Sequence, residues 1–152
     1  MAAEPTALLK GTTQLLTELS DRPATTVPDA VLNHEQCLVI ILAGTKRLRP
    51  GTTTCRETPD QWNSPTFVQF EEAARSHVAA TLLIFVSKDA AVHALRSGSL
   101  EIETYKDPVA PTAPKDAIPN EHELNRNLFT YGYTRGRLAG RRVHGTVRYA
   151  RS

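Results

Sequence analysis

The spacing of hydrophobic positions changes at Cys37. Upstream, Leu8, Leu9, Leu15, Leu16 and Leu19 recur at helical spacing between Thr, Gln and Glu, predicting an amphipathic helix over 6–19 that Gly11 weakens. Asp21, Arg22 and Pro23 end it, and Pro28 and Asp29 open a second short helix through about His34. From Cys37 onward the apolar residues gather into short β-branched and aromatic runs, which predict strands over 37–42, 52–56, 66–70 and 81–86. Leu82 to Val86 is apolar without interruption, as in a strand buried on both faces. Ser87 then reads as an N-cap for a compact helix that stops at Gly98. Over 100–105, Ile102 alternates with Glu101 and Glu103, the pattern of an exposed strand. Pro108, Pro111, Pro114 and Pro119 exclude a regular helix or a central strand from 107–119. Two more strands follow, over 127–133 and 142–149, with Gly132, Gly136 and Gly140 around their junction. The expected fold is therefore α+β in one domain spanning 1–152. A leading helical pair precedes a mostly antiparallel, strongly curved sheet or partly closed barrel, with one small helix after the hydrophobic strand. Antiparallel pairing follows from connections too short for parallel crossovers.

Charge adds a polarity that the net value of +2 conceals. From Leu124 to Ser152 there are seven arginines and no Asp or Glu. Of 18 cationic and 16 acidic residues in total, this leaves −5 on residues 1–123 against +7 on the tail. The arginines are interleaved with Leu128, Phe129, Tyr131, Tyr133, Leu138, Val143, Val147 and Tyr149, so the tail folds rather than serving as a disordered basic arm. No apolar run approaches the roughly twenty residues of a membrane-spanning helix; the longest, Cys37–Ala43, has seven. The N-terminus has no cationic stretch ahead of an apolar one, which points to a cytoplasmic location. Cys37 and Cys55 lie among strand-like residues and are expected to be small buried hydrophobes, with a disulfide between them as the alternative.

Several segments, taken in order, resemble the SYLF domain, a lipid-binding and actin-regulating family. They are TQLLTEL followed by VPDAVLNHEQCLVII (27–41); CRETPDQWNSPTFVQF (55–70), with Trp62, Ser64, Pro65 and Phe67 on matching positions; and TLLIFVSKDAAVHAL (81–95). The most discriminating is LFTYGYTRGRLAGRRVHGTV (128–147), where Tyr131, Arg135, Gly136, Leu138, Ala139, Gly140 and Gly145 match. The chain departs from the family in glycine content. AGTKRLRPGTTT retains only Gly44 and Gly51, and EEAARSHVAAT and DPVAPTAP have none.

The resemblance implies non-enzymatic, peripheral binding of acidic phospholipids, phosphoinositides included. Arginine's planar fork suits phosphate oxygens, and several such residues near an anionic surface add at about 1 kcal/mol each. The candidate contacts are Arg135, Arg137, Arg141 and Arg142, extended by Lys46, Arg47 and Arg49 in the first hairpin. A solvated, aggregation-blocking strand edge explains the same charges, and an acidic protein partner such as an actin-like filament is the alternative ligand. The leading helix has Lys10 as its single cation beside Glu4 and Glu18, so its leucines suit core packing better than a membrane surface. Trp62, beside Pro65, reads as a packing anchor. His34, His77, His93, His122 and His144 are scattered, and no zinc, nucleophile-elbow or phosphate-loop motif occurs. Glu71 and Glu72 diverge as neighbours and do not form a positioned carboxylate pair. The expectation is thus no catalysis, no cofactor, no metal and no nucleic-acid recognition motif.

Overall fold

The computed structural model describes residues 27–42, 48–73, 78–106, 109–112, 118, 126–134 and 137–149. Within them the chain is one antiparallel sheet with two short helices. In chain order these are α1 (Asp29–Leu32), β1 (Cys37–Leu42), β2 (Leu48–Thr58), β3 (Gln61–Trp62), β4 (Thr66–Glu72), β5 (Ala80–Phe85), α2 (Lys88–Ser97), β6 (Ser99–Glu103), β7 (Leu128–Thr134), β8 (Arg137–Gly140) and β9 (His144–Tyr149). The strand order is β6-β9-β4-β2-β1-β5-β7-β8, with β3 paired to β2 alone.

This corrects the expected α+β architecture. The molecule is dominated by a curled half-barrel, not by helices leading a sheet. Of the expected leading pair, the helix over 6–19 lies outside the described residues. The other is a single turn: Pro28 offers no side-chain cap, and after Asn33 the chain runs almost directly into β1. β2 is also longer than its β-branched centre predicted, because pairing with β4 extends it back through Pro50 and Arg49 to Leu48 and pairing with β3 extends it on to Thr58. β3 and β8 are too short to give a period, and only their partners define them.

Chain connectivity requires the curl. β8 and β9 lie six inter-strand steps apart in the sheet, which is roughly 29 Å if flat. Yet only residues 141–143 join them, a reach of about 14 Å. The free edges must therefore approach each other.

The curl creates an inner face and an outer face, and strand alternation divides the core between them. Val39 and Ile41 of β1, Leu83 and Phe85 of β5, Val68 and Phe70 of β4, and Val147 and Tyr149 of β9 fill the inside, with Ala91 of α2 and Ile102 of β6. Ile40 of β1, Leu82 and Ile84 of β5, Phe129, Tyr131 and Tyr133 of β7, and Leu138 of β8 pack outside with Val27, Val31 and Ala110. β1 and β5 are central and face both clusters, which is why β1 and residues 82–85 of β5 are continuously apolar. α2 begins and ends where its sequence predicts. Ala90 N donates to Ser87 Oγ (3.3 Å), and Gly98 takes the left-handed φ of 81°. Part of the proline-rich segment lies against β8 as irregular chain. Tyr131 Oη donates to Pro111 O (2.8 Å), and Gly140 N donates to Thr112 Oγ1 (2.7 Å). Gly140 is needed there, since a Cβ would stand 2.1 Å from Ala110 O.

The two cysteines are bonded to each other, correcting the expectation of free thiols. Cys37 and Cys55 are directly opposed on β1 and β2, with Cα atoms 4.0 Å apart. Asn63 takes both backbone groups of Cys55: its Oδ1 accepts from Cys55 N (3.0 Å), and its N donates to Cys55 O (2.8 Å). Cys37 and Cys55 are therefore a non-hydrogen-bonded pair, the closer of the two antiparallel pair types.

Candidate functional site

Strand direction sorts the connections between two rims. Ile41 pairs with Gly51, Leu48 with Glu71, Leu42 with Ala80, Ala80 with Tyr133, Thr134 with Arg137, and Glu72 with Gly145. All these pairs lie towards the same end of the sheet. The strand ends joined through 43–47, 74–77 and 135–136 consequently share one rim, and those sequences contain Lys46, Arg47, Arg75 and Arg135. Arg137 opens β8 at that rim. Lys46, Arg47 and Arg135 themselves lie outside the described residues. Arg142 is exposed on the link between β8 and β9.

Arg49 and Arg141 are placed differently from those residues. Arg49 is 4% exposed on the inner face of β2, where the long strand has drawn it in. Arg141 reaches inside as well, its stem passing Gly132, where a Cβ would stand 2.9 Å from Arg141 Cδ. Both meet Glu72, the inward-facing last residue of β4, which is 3% exposed. Arg141 Nη2 donates to Glu72 Oε1, and Arg141 Nη1 donates to Thr81 Oγ1 (3.0 Å). Arg49 Nη1 stands 3.9 Å from Glu72 Oε2. The backbone holds the same corner. Arg141 N donates to Thr130 O (3.0 Å), and Thr130 Oγ1 donates to Arg141 O. Thr104 and Val143 exchange three further bonds. Thr104 N and Oγ1 donate to Val143 O (2.9 and 3.2 Å), and Val143 N donates to Thr104 Oγ1 (2.6 Å). This corner links β4 to the chain leaving β8, so it closes the half-barrel beneath the rim. Sequence reasoning missed Glu72. The available signal was its place after Val68 and Phe70 on the inward positions of β4.

Beside that corner, Glu71, Glu101 and Glu103 are exposed. Glu71 points out and meets Arg148 at 3.8 Å, with both side chains about half exposed. Glu101 and Glu103 line the outer face of edge strand β6. A cleft of about 300 Å³ lies among Glu71, Glu72, Glu101, His144 and Thr146. Among the described residues, no group of three or more His, Cys, Asp or Glu is arranged to hold a metal ion.

The opposite rim carries a second ionic contact. Arg56 donates from Nε to Glu35 O (3.1 Å), from Nη1 to Pro59 O (2.7 Å) and from Nη2 to Glu35 Oε1 (2.9 Å), with its guanidinium 4.3 Å from the Trp62 ring centroid. Burial pushes the Glu35 carboxyl above the usual carboxylate range, opposed by the charge and hydrogen bond of Arg56. Trp62 is thus built into the β2–β3 turn and also borders a cleft of about 300 Å³ with Leu38, Ile40, Thr52 and Thr54.

Among the described residues, no helix is long and apolar enough to cross a membrane. No protein-family model, curated protein or solved structure matches this chain.

Proposed function

We propose that the chain is a divergent relative of the SYLF domain that binds acidic phospholipid surfaces peripherally and reversibly, without catalysis. The observation that carries this reading is the sharing of one rim by the strand ends that flank Lys46, Arg47, Arg75 and Arg135. Connections far apart in sequence thereby start and end at one rim, and each cation in their sequences would add to the attraction of that rim for an anionic leaflet. Arg137 and Arg142 extend the set. Arg49 and Arg141 act from inside, holding the rim together through Glu72.

The test is vesicle co-sedimentation with neutral and anionic lipid at low and high salt, comparing the wild type with Lys46→Ala/Arg47→Ala/Arg135→Ala. This triple variant leaves the Glu72 corner intact. The wild type is expected to bind anionic vesicles only and to be weakened by salt. Loss of three cations at about 1 kcal/mol each should weaken binding roughly hundredfold. A folded wild type that stays in the supernatant with every vesicle at low salt would sink the reading, and an acidic protein partner would become the hypothesis to test.

A further inference from the structure

The rim bordered by basic sequences also carries apolar surface. Among the described residues Leu48, Tyr105, Val109 and Ile118 are the exposed large hydrophobics, and the first two belong to this rim. Leu48 is 44% exposed at the start of β2 and directly follows Lys46 and Arg47; Tyr105 is 52% exposed just beyond β6 and directly precedes Lys106. Alternation turns both outward, because their neighbours Arg49 and Thr104 are buried. The Tyr105 ring stands edge-on to His144 with centroids 6.0 Å apart, which orients it. An exposed apolar side chain that adjoins a cation in the sequence is not what a small anion requires. It suits a bilayer interface, where the apolar group enters below the phosphates, the cation stays among them, and a tyrosine spans the boundary.

The acidic groups nearby set the direction of approach. Glu71, the cross-strand partner of Leu48, is offset by Arg148 at 3.8 Å, and Glu72 lies inside with Arg49 and Arg141. Glu101 and Glu103 occupy the outer face of β6 and repel an anionic surface laid along that face. An end-on approach along the strand axes brings the rim forward first.

We propose that Leu48 and Tyr105 insert into the interfacial layer of an anionic bilayer, making adhesion partly hydrophobic. The inference rests on the phospholipid reading and adds a component that salt does not screen. Partitioning into phosphatidylserine/phosphatidylcholine vesicles is measured across a salt series for the wild type, Leu48→Ser/Tyr105→Ser and the milder Leu48→Thr, with unfolding midpoints as the control for folding. The wild type should retain binding at high salt. The double variant should partition about tenfold more weakly, lose the salt-resistant part, and still respond to anionic lipid at low salt. Leu48→Thr should fall between them. Equal partitioning of all three at every salt concentration overturns the insertion while leaving electrostatic binding in place. No binding by the wild type at any salt concentration overturns both.

Discussion

Glu71 and Glu72 are adjacent in sequence and opposite in environment. Glu71 forms a half-exposed pair with Arg148, of the kind worth about 0–1 kcal/mol. Glu72 is buried between Arg49 and Arg141, and removing one partner of a buried pair typically costs about 3–5 kcal/mol. Urea unfolding should therefore separate Glu71→Ala, within about 1 kcal/mol of wild type, from Glu72→Ala, which should lose several times as much. Equal losses would remove the closing role given to Glu72. Two titrations belong to this scale. Burial raises the Tyr149 phenol from 10.0 to about 12, so the folded state keeps its proton where the unfolded state has lost it. Stability then falls as pH rises from 10 towards 12, by on the order of 2 kcal/mol. Tyr149→Phe should abolish that slope, as read from urea midpoints along the pH series. Glu35 is also raised, chiefly by burial, so stability falls as pH rises above 4.5 until its carboxyl has ionised. Glu35→Gln should flatten that part of the profile. Sequence periodicity placed Ile102 inward and Glu101 and Glu103 outward, but it left Arg49 and Arg141 in the same class as Arg142. Arginine is placed by its partner, and Glu72 is remote from both in sequence.

Among the elements, β1, β5 and α2 were legible because their determinants are local. Continuous apolar runs suit strands that face two cores, while Ser87 and Gly98 supply the cap and the left-handed stop. Ser87→Ala should lower stability by about 1 kcal/mol, as measured by thermal unfolding. β3 and β8 were not legible, since a few residues give no period and become strands only where β2 and β7 provide a ladder. The cysteine pairing also depended on a neighbour. A strand pattern puts each cysteine in a strand, while the register of β1 against β2 decides that they meet. The bridge closes a sequence separation of 18, for which loop-closure entropy gives about 3 kcal/mol. Reduction, or Cys37→Ala/Cys55→Ala, should lower the urea midpoint accordingly. An unchanged midpoint would mean that the bridge adds nothing to the fold.

For the whole molecule, three linking residues force a nine-stranded sheet to curl, and a buried ionic corner holds the result closed beneath a rim bordered by basic sequences. The expected leading helical pair did not define the architecture, and the sheet with its two-faced core did. Much of its pairing is remote in sequence, as where β4 and β6 meet β9, so loop-closure entropy is lost before many contacts form. Refolding in milliseconds to seconds is expected by stopped-flow fluorescence of Trp62. By itself, the sequence determined the strand runs, the caps of α2, the interruption by prolines and the segregation of charge into the last thirty residues. These depend on properties of neighbouring residues. Tertiary structure alone decided which strand lies beside which, that Cys37 and Cys55 join, that Arg49 and Arg141 turn inward, and that separate basic connections border one rim. Each of those depends on register and curl, which arise when residues far apart in the chain are packed against one another.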